Sequence, residues 1–373
     1  MKKTVLISML QLHKKSGSAR TVDENIAYFL SKGFEVHVVS MGFDDSLKQN
    51  KKIHLHRTLP WLKSTGLFRR KWYDLQVKSL AKKIKPTIIL GHGDIFSQDV
   101  VTLHNCVFLA SELIHGKPLD PQHEMAQTHG KILREKTFKK LIANSELMKS
   151  DCVKRFGLDS QSIHVIYPAV NTKVFYPKPE EKTKLRERFS FREKIIVSLV
   201  TSGNFKKRGL DLFVRAIALL EPEVQAMTSF RVVGKDDHGE YKNSPVIFDP
   251  GLKDIENYYN AIDLFVLPAR IEEFGRVVLE AMATGLPVIT TDTVGAAELL
   301  EGESREFVLP HGNVEALAAA LKKMILNPDL RVRLGRLNAE SAQKEREELV
   351  FEKFDRVFGS LIENQTLTKD QRE

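Results

Sequence analysis

Two glutamates and two cations carry the chemistry this sequence offers. Glu272 lies in Pro268-Ala-Arg-Ile-Glu-Glu-Phe-Gly-Arg-Val-Val-Leu-Glu280, a stretch that reads as strand end, loop and helix. Glu280 falls within the apolar helical run of Val277, Val278, Leu279, Ala281 and Met282, which Gly285 and Pro287 end. A carboxylate on a stretch meant for burial needs partners. The vicinal hydroxyls of a ribose supply them, because an ionised carboxylate accepts hydrogen bonds side by side. The N–H groups at the start of that helix suit a diphosphate, since the helix dipole favours negative charge there. Glu272, in the loop, is placed for hydroxyls of a sugar on that diphosphate, and Gly275 lets the main chain come close to it. Lys207 and Arg208 lie in Gly203-Asn-Phe-Lys-Lys-Arg-Gly-Leu-Asp211, after one strand and before a helix, where cations suit phosphate. The plainer readings are a solvated helix face for the glutamates and a solvated basic loop for the cations.

The elements that must hold these residues alternate between strand and helix. Thr4–Met9, Phe34–Ser40, Ile88–Leu90, Val100–Leu103, Leu141–Ser145 and Ile163–Pro168 read as strands of a first sheet. Ile195–Val200, Phe230–Val233, Pro245–Asp249, Leu264–Leu267 and Val288–Thr290 read as a second. Strands alternating with helices predict doubly wound parallel sheets, an α/β class with two Rossmann-like domains. The charged run Lys178–Lys194 places the boundary, giving domains over 1–175 and 176–350. Residues 351–373 are expected to cross back to the first domain and end in a frayed tail. Leu330–Phe358 reads as one amphipathic helix. Ligands of such sheets bind at the carboxyl ends of the strands. The polar loops 10–20, 91–94, 104–105, 201–209, 234–238, 268–275 and 292–298 all fall there, which predicts a cleft faced by two domains.

The string from Glu272 through Phe274-Gly275 to Glu280-Ala-Met-Ala-Thr-Gly-Leu-Pro-Val resembles the donor-site signature of the retaining glycosyltransferases of family 4. The resemblance covers nearly the whole chain and implies the GT-B fold. It implies phosphate binding by the loop from Gly203, where the family's usual lysine before glycine is Arg208, with Lys207 beside it. The family's frequent arginine after that strand is absent, and Asn204 stands nearby. His104 resembles the residue of the first domain that touches the donor sugar, with Asp99 and Asp94 as neighbours able to take that role. Gly234, in Val232-Val-Gly-Lys-Asp236, Glu298, in Asp292-Thr-Val-Gly-Ala-Ala-Glu, and Gly17, where paired glycines are frequent, complete the implied binding set. Within the family the chain resembles the lipopolysaccharide core glucosyltransferase group. That likeness implies a UDP-hexose as co-substrate, a heptose-bearing glycolipid or oligosaccharide acceptor, retention of configuration and a front-face route. No Asp-x-Asp occurs, so no metal is expected on the diphosphate, and no cofactor beyond the UDP-sugar.

Composition narrows the alternatives. The 373 residues carry a net charge of +9, with 42% hydrophobic and 28% charged content, ordinary for a globular chain. Residues 1–180 hold 29 Lys and Arg against 16 acids, and the rest 28 against 32, so the first half is the phosphate-seeking one. Only Cys106 and Cys152 occur, which excludes a disulfide framework and fits a reducing cytoplasm. The amino terminus resembles a signal peptide for a few residues and then breaks at Gln11, so it reads as a strand. No apolar run is long enough to span a membrane. In 51–85, Trp61, Leu62, Leu67, Phe68, Trp72 and Tyr73 interleave with Lys63, Arg69, Arg70 and Lys71. That pattern suits an anionic membrane surface, ahead of nucleic acid, which is not expected as a partner. A glycosyltransferase of another cell-envelope glycan, a nucleotide-sugar epimerase and a non-catalytic sugar-nucleotide binder remain as alternatives on the same fold.

Overall fold

A computed structural model describes residues 3–12, 17–43, 52–59, 66–191, 194–236, 239–249 and 251–370. The chain forms two compact units, one of residues 1–168 with 348–373 and one of residues 169–347.

In the first unit seven parallel strands make one sheet: β1 (Thr4–Ser8), β2 (Glu35–Ser40), β3 (Ile53–Arg57), β4 (Ile88–Gly91), β5 (Val100–Thr102), β6 (Lys140–Ala143) and β7 (Ile163–Val165). Their order is β3-β2-β1-β4-β5-β6-β7, so the winding reverses between β1 and β4. Val5, Leu6, Ile7, Ile88, Leu90, Val100 and Val101 are fully buried, as expected of strands covered on both faces. Helix Leu67–Ile84 covers one face through Tyr73 and Val77, which pack with Leu6, Leu10 and Val39. Helix Gly17–Ser31 buries Val22, Ile26, Tyr28 and Phe29. The last helix, Glu347–Asp370, packs on it: the Tyr28 ring meets Phe351, Phe354 and Phe358, and its hydroxyl donates to Asp355 at 2.9 Å.

The second unit holds β8 (Ile195–Val200), β9 (Thr228–Val233), β10 (Val246–Asp249), β11 (Leu264–Leu267), β12 (Val288–Thr291) and β13 (Val308–Leu309), all parallel, in the order β10-β9-β8-β11-β12-β13. Here the winding reverses between β8 and β11. Loops leaving the carboxyl ends of these two strands therefore diverge to opposite faces and leave a crevice.

Three expectations change. The first unit's opening segment ends at residue 168 and not 175, and the charged run after Lys178 lies inside the second unit. Its helix Lys182–Arg188 is tied down by Lys182 and Arg186, which meet the Asp263 carboxylate at 2.7 and 2.8 Å. Burial opposes that charge, yet Lys182, the Ile196 N–H and Arg186 hold Asp263 below the ordinary carboxylate range. The long helix at 330–358 is two, Pro328–Ala342 and Glu347–Asp370, separated by a turn at Gln343–Glu345 and an extended Arg346. The second boundary between the units lies just after that break, between Glu347 and Glu348. The frayed tail is in part helix, which runs to Asp370.

Candidate functional site

The second unit gathers most of the candidate residues at its switch point. After β8 the chain makes one short helical turn, Phe205–Arg208. Asn204, left-handed at φ 58°, caps it by accepting from the Lys207 N–H at 3.0 Å. Asp236, from the loop after β9, accepts the Phe205 N–H at 2.9 Å. Gly203 and Gly234 stand where backbone and side chain crowd: a Cβ on Gly203 would lie 2.7 Å from the Asp236 carboxylate, and one on Gly234 2.5 Å from the Phe205 ring.

The loop after β11 is laced to this turn. Arg270 donates its N–H to the Lys207 carbonyl at 2.9 Å and its guanidinium to the Lys206 carbonyl at 2.8 Å, and grips Asp211 with two bonds of 2.7 Å. Gly209 ends the turn at φ 71°, and a Cβ there would lie 1.9 Å from the Pro268 carbonyl oxygen. A backbone atom cannot give way as a side-chain tip can. Gly209→Ala is therefore expected to lower Tm and to weaken nucleotide binding together, as read by thermal unfolding with and without ligand.

Lacing places four charges side by side. Lys207 meets Glu273 at 2.7 Å, and Arg208 pairs with Glu272. The Lys207 and Arg208 side chains are each 15% exposed, Glu273 6% and Glu272 16%. Burial lifts the Glu272 carboxyl above its ordinary range, Arg208 and Lys207 pull it back, and the neighbouring Glu273 adds to the lift. Glu273 and Arg270 were passed over as site residues in the sequence. Their partners lie some 60 positions away, with only the Glu273 position beside Glu272 as a signal.

Glu272, Phe274 and Gly275 are fixed by the loop after β12. The Glu272 N–H donates to the Thr293 carbonyl at 3.0 Å, and the Gly295 N–H returns a bond to the Glu272 carbonyl at 2.9 Å. Phe274 is buried, and its carbonyl accepts the Ala296 N–H. Gly275, at φ 95°, opens helix Arg276–Ala283, and a Cβ there would crowd Glu272 and Val294 at 3.1 Å. Glu280 is buried within this helix beside Leu279 and Ala281, and Glu298 lies half-buried in the turn Gly295–Leu299. Loops from β8, β9, β11 and β12 thus bring Gly203, Lys207, Arg208, Gly234, Glu272, Phe274, Gly275 and Glu298 to the carboxyl side of one sheet.

Gly17, His104 and Asp99 belong to the first unit. His104 follows β5, and its Nε2 lies 2.8 Å from the Nδ1 of His92, which follows β4. Burial first, and His104 second, hold His92 well below its ordinary pKa, and burial with Arg70 and His104 pushes His129 down to about 3. His104 lines a small crevice with Thr21, Glu24, Thr102, Asn144 and Tyr167.

Asp99 is a correction. It stands before β5, at the opposite end of that strand from His104. Its carboxylate accepts the Ile89 N–H at 2.9 Å and pairs with Lys139 at 2.8 Å, which makes it a clasp between strands. Asp94 is likewise engaged, by the Leu10 N–H at 2.8 Å and by Arg70. Gly17 sits not in a loop but at the first position of helix Gly17–Ser31, with Ser18 and Arg20 inside it; Lys14, Lys15 and Ser16 lie outside the described residues.

The basic stretch 51–85 is also revised. Tyr73 is wholly buried, its hydroxyl donating to the Val39 carbonyl at 2.7 Å, and Trp72 donates to the Leu59 carbonyl at 3.1 Å. Arg69 and Arg70 pair with Glu124. Phe68, Lys71, Leu75 and Lys82 remain exposed along one side of the helix, while Trp61, Leu62 and Lys63 lie outside the described residues. Among the described residues no helix is long and apolar enough to cross a membrane.

Comparison with known proteins bears on the family and the fold. The chain matches the family model "Glycosyltransferase Family 4" over residues 15–174 and "Glycosyl transferases group 1" over residues 196–327. It is 24% identical over 335 residues to an uncharacterized glycosyltransferase of Haemophilus influenzae, covering 86% of this chain and 90% of that one. It is 31% identical over 216 residues to the lipopolysaccharide core biosynthesis mannosyltransferase LpsB of Rhizobium meliloti, covering 54% of this chain and 60% of that one. Other curated relatives are matched over about half their length. The fold superposes on the crystal structure of WaaG, a glycosyltransferase involved in lipopolysaccharide biosynthesis, with a TM-score of 0.79, 20% identity and coverage of 95% and 99% of the two chains. It superposes on Anabaena HepE, solved with UDP and glucose, with a TM-score of 0.73, 18% identity and coverage of 96% and 100%.

Proposed function

This chain belongs to the family 4 glycosyltransferases, with the GT-B pair of Rossmann-like units, and from that premise we propose that it moves a hexose from a UDP-sugar to a saccharide acceptor. The observation that carries the reading is the half-hidden quartet Lys207, Arg208, Glu272 and Glu273 at the switch point of the second sheet. Desolvating four charges is costly even when they pair, and such groups gather where a ligand is to be bound. A diphosphate is the ligand whose charge Lys207, Arg208 and the helix start at Gly275 would neutralise. Glu280 then takes the ribose hydroxyls, and Glu272 the hydroxyls of the transferred sugar.

Breaking the sugar–phosphate bond builds positive charge on the sugar and negative charge on the departing diphosphate. Donors already in place around that diphosphate supply the main catalytic term. The reading assigns this work to protein groups without a metal, and turnover is expected to survive a chelator. Retention of configuration by a front-face route follows from the family resemblance, as does contact between His104 and the donor sugar. Glucose is the proposed hexose and the heptose of a lipopolysaccharide inner core the proposed acceptor. UDP with glucose in HepE and the lipopolysaccharide role of WaaG support this, and the mannosyltransferase LpsB marks the competing sugar. Release of UDP from UDP-glucose only when a heptose-bearing acceptor is added tests the reading; release or epimerisation without acceptor would replace it.

A lipid-borne acceptor calls for a route to the membrane. The exposed side of helix Leu67–Ile84, with Phe68, Lys71, Leu75 and Lys82, joins apolar tips to cations and is proposed to rest on the anionic inner face of the cytoplasmic membrane. Co-sedimentation with anionic vesicles that falls in the Phe68→Ser/Leu75→Ser variant is expected; binding indifferent to both residues and to lipid charge would remove the idea.

A further inference from the structure

The outer strand pair of the first sheet carries a cluster that sugar transfer does not use. β2 and β3 run parallel with His37 opposite His54 and Val39 opposite His56. Alternation along β2 sends Val36 and Val38 to the buried side and leaves Glu35 and His37 on the other face. His54 and His56 project from β3 onto that same face, because the pairing is in register. One carboxylate and three imidazoles thus share one patch of the sheet edge.

Their separations are near those of ligands around an ion. The Glu35 Oε1 lies 2.8 Å from the His54 Nε2 and 3.5 Å from the His37 Nε2, and the three ligand atoms all lie within 4.8 Å of one another. Donors held at about 2.0–2.2 Å from a tetrahedral zinc ion stand about 3.3–3.6 Å apart. The Glu35–His37 separation falls in that range, and the Glu35–His54 pair is closer and would open to admit the ion. The other nitrogen of His37, Nδ1, lies 2.8 Å from the His56 Nε2. With the His37 Nδ1–H donating to His56, the His37 Nε2 lone pair would face Glu35 and His54, as in a ligating histidine held by an outer partner. The His54 side chain is 44% exposed, so the cluster opens to solvent for entry of an ion and for a water ligand.

We propose that Glu35, His37 and His54 bind a divalent transition-metal ion, with His56 orienting His37 and water completing the shell. Two imidazoles and one carboxylate suit zinc, nickel or copper and not magnesium or calcium, which take oxygen donors. The site lies toward the amino ends of β2 and β3, away from the end of the sheet that carries His104. Its role is therefore a clasp that ties edge strand β3 to β2, stabilising the first unit by binding the folded state alone. The absence of Asp-x-Asp concerned the diphosphate and does not bear on this pair of strands, whose Glu-x-His and His-x-His spacing is legible in Glu35-Val-His37 and His54-Leu-His56.

The test uses the full chain without an affinity tag, stripped with a chelator, titrated calorimetrically with zinc chloride and followed in parallel by thermal unfolding. One equivalent of zinc is expected to bind saturably and raise Tm, while magnesium does neither. His37→Ala and His54→Ala are each expected to abolish the zinc-dependent rise. His56→Gln is expected to weaken zinc binding by about 10–100-fold. His115→Ala, at an exposed position outside the cluster, is expected to leave zinc binding intact. UDP-sugar binding is expected to persist in all four variants, so the outcome is separable from that of the donor assignment. Failure to bind zinc saturably, or binding that persists in the His37→Ala/His54→Ala double variant, overturns the proposal.

Discussion

Replacing Arg208 by alanine is expected to lower kcat/KM for sugar transfer by about 10²–10³-fold, the usual cost of removing one preorganised donor from a developing anion. The same change takes away the partner of Glu272. An unpaired carboxylate left in a half-hidden position costs about 3–5 kcal/mol when nothing replaces the partner, so Arg208→Ala alone confuses chemistry with folding. Arg208→Met with Glu272→Gln removes both charges, and is expected to restore Tm toward the parent value while turnover stays low. Arg208→Lys is the sharper variant. It keeps the charge but loses the planar fork, and is expected to retain more turnover than Arg208→Met. Steady-state kinetics with Tm measured on the same samples check all three. Recovery of turnover along with Tm in the double variant would mean that Arg208 serves the fold and not the phosphate.

Acid is expected to destabilise the first unit through its buried histidines. His129 has a folded pKa of about 3 and His92 one well below its ordinary value, both chiefly through burial. Each folded value lies below the unfolded one, near 6.5. Above that pH neither state binds the proton, and stability is fully present. Below it the unfolded chain takes up protons that the folded chain refuses, so stability falls as pH drops from about 6.5 toward the folded values. Between pH 7 and pH 5 the loss from His129 is about 2 kcal/mol, and His92 adds a loss of the same sign. Half-buried His37, His56 and His164, also shifted downward, add a smaller part. Urea unfolding at the two pH values measures the loss, and His129→Leu is expected to remove the His129 share. An unchanged pH slope in that variant would show that His129 gains its proton in both states.

Much of the second unit's site could be read from the chain because its signals are local. Glu280 sits among Val277, Val278, Leu279, Ala281 and Met282, so its burial follows from helical spacing alone. Lys207 and Arg208 are adjacent to Gly209, whose left-handed turn and contact with Pro268 explain why glycine stands there. What the chain hid was pairing at a distance. Nothing near Lys207 names Glu273 as its partner, and Arg270 is joined to Asp211 only when β8 and β11 lie side by side. Asp99 was misplaced for the opposite reason. It is close to His104 in sequence, but the strand between them advances about 3.3 Å per residue and carries the two to opposite ends of β5. Charge misled at Arg69-Arg70, read as part of a membrane-facing surface but held by Glu124 and Asp94. The polar composition before Val22 concealed a helix that starts at Gly17.

The central claim is that the second unit grips a nucleotide-sugar by its diphosphate and ribose, and calorimetric titration of the parent and of Glu280→Ala with UDP-glucose, GDP-mannose and ADP-glucose tests it most directly. UDP-glucose is predicted to bind the parent more tightly than the other two, and to lose at least about tenfold in affinity in Glu280→Ala, the equivalent of the 1.4 kcal/mol or more expected of a lost charged hydrogen bond. Equal affinity for UDP-glucose in a folded Glu280→Ala variant, or no binding of any of the three to the parent, would contradict it.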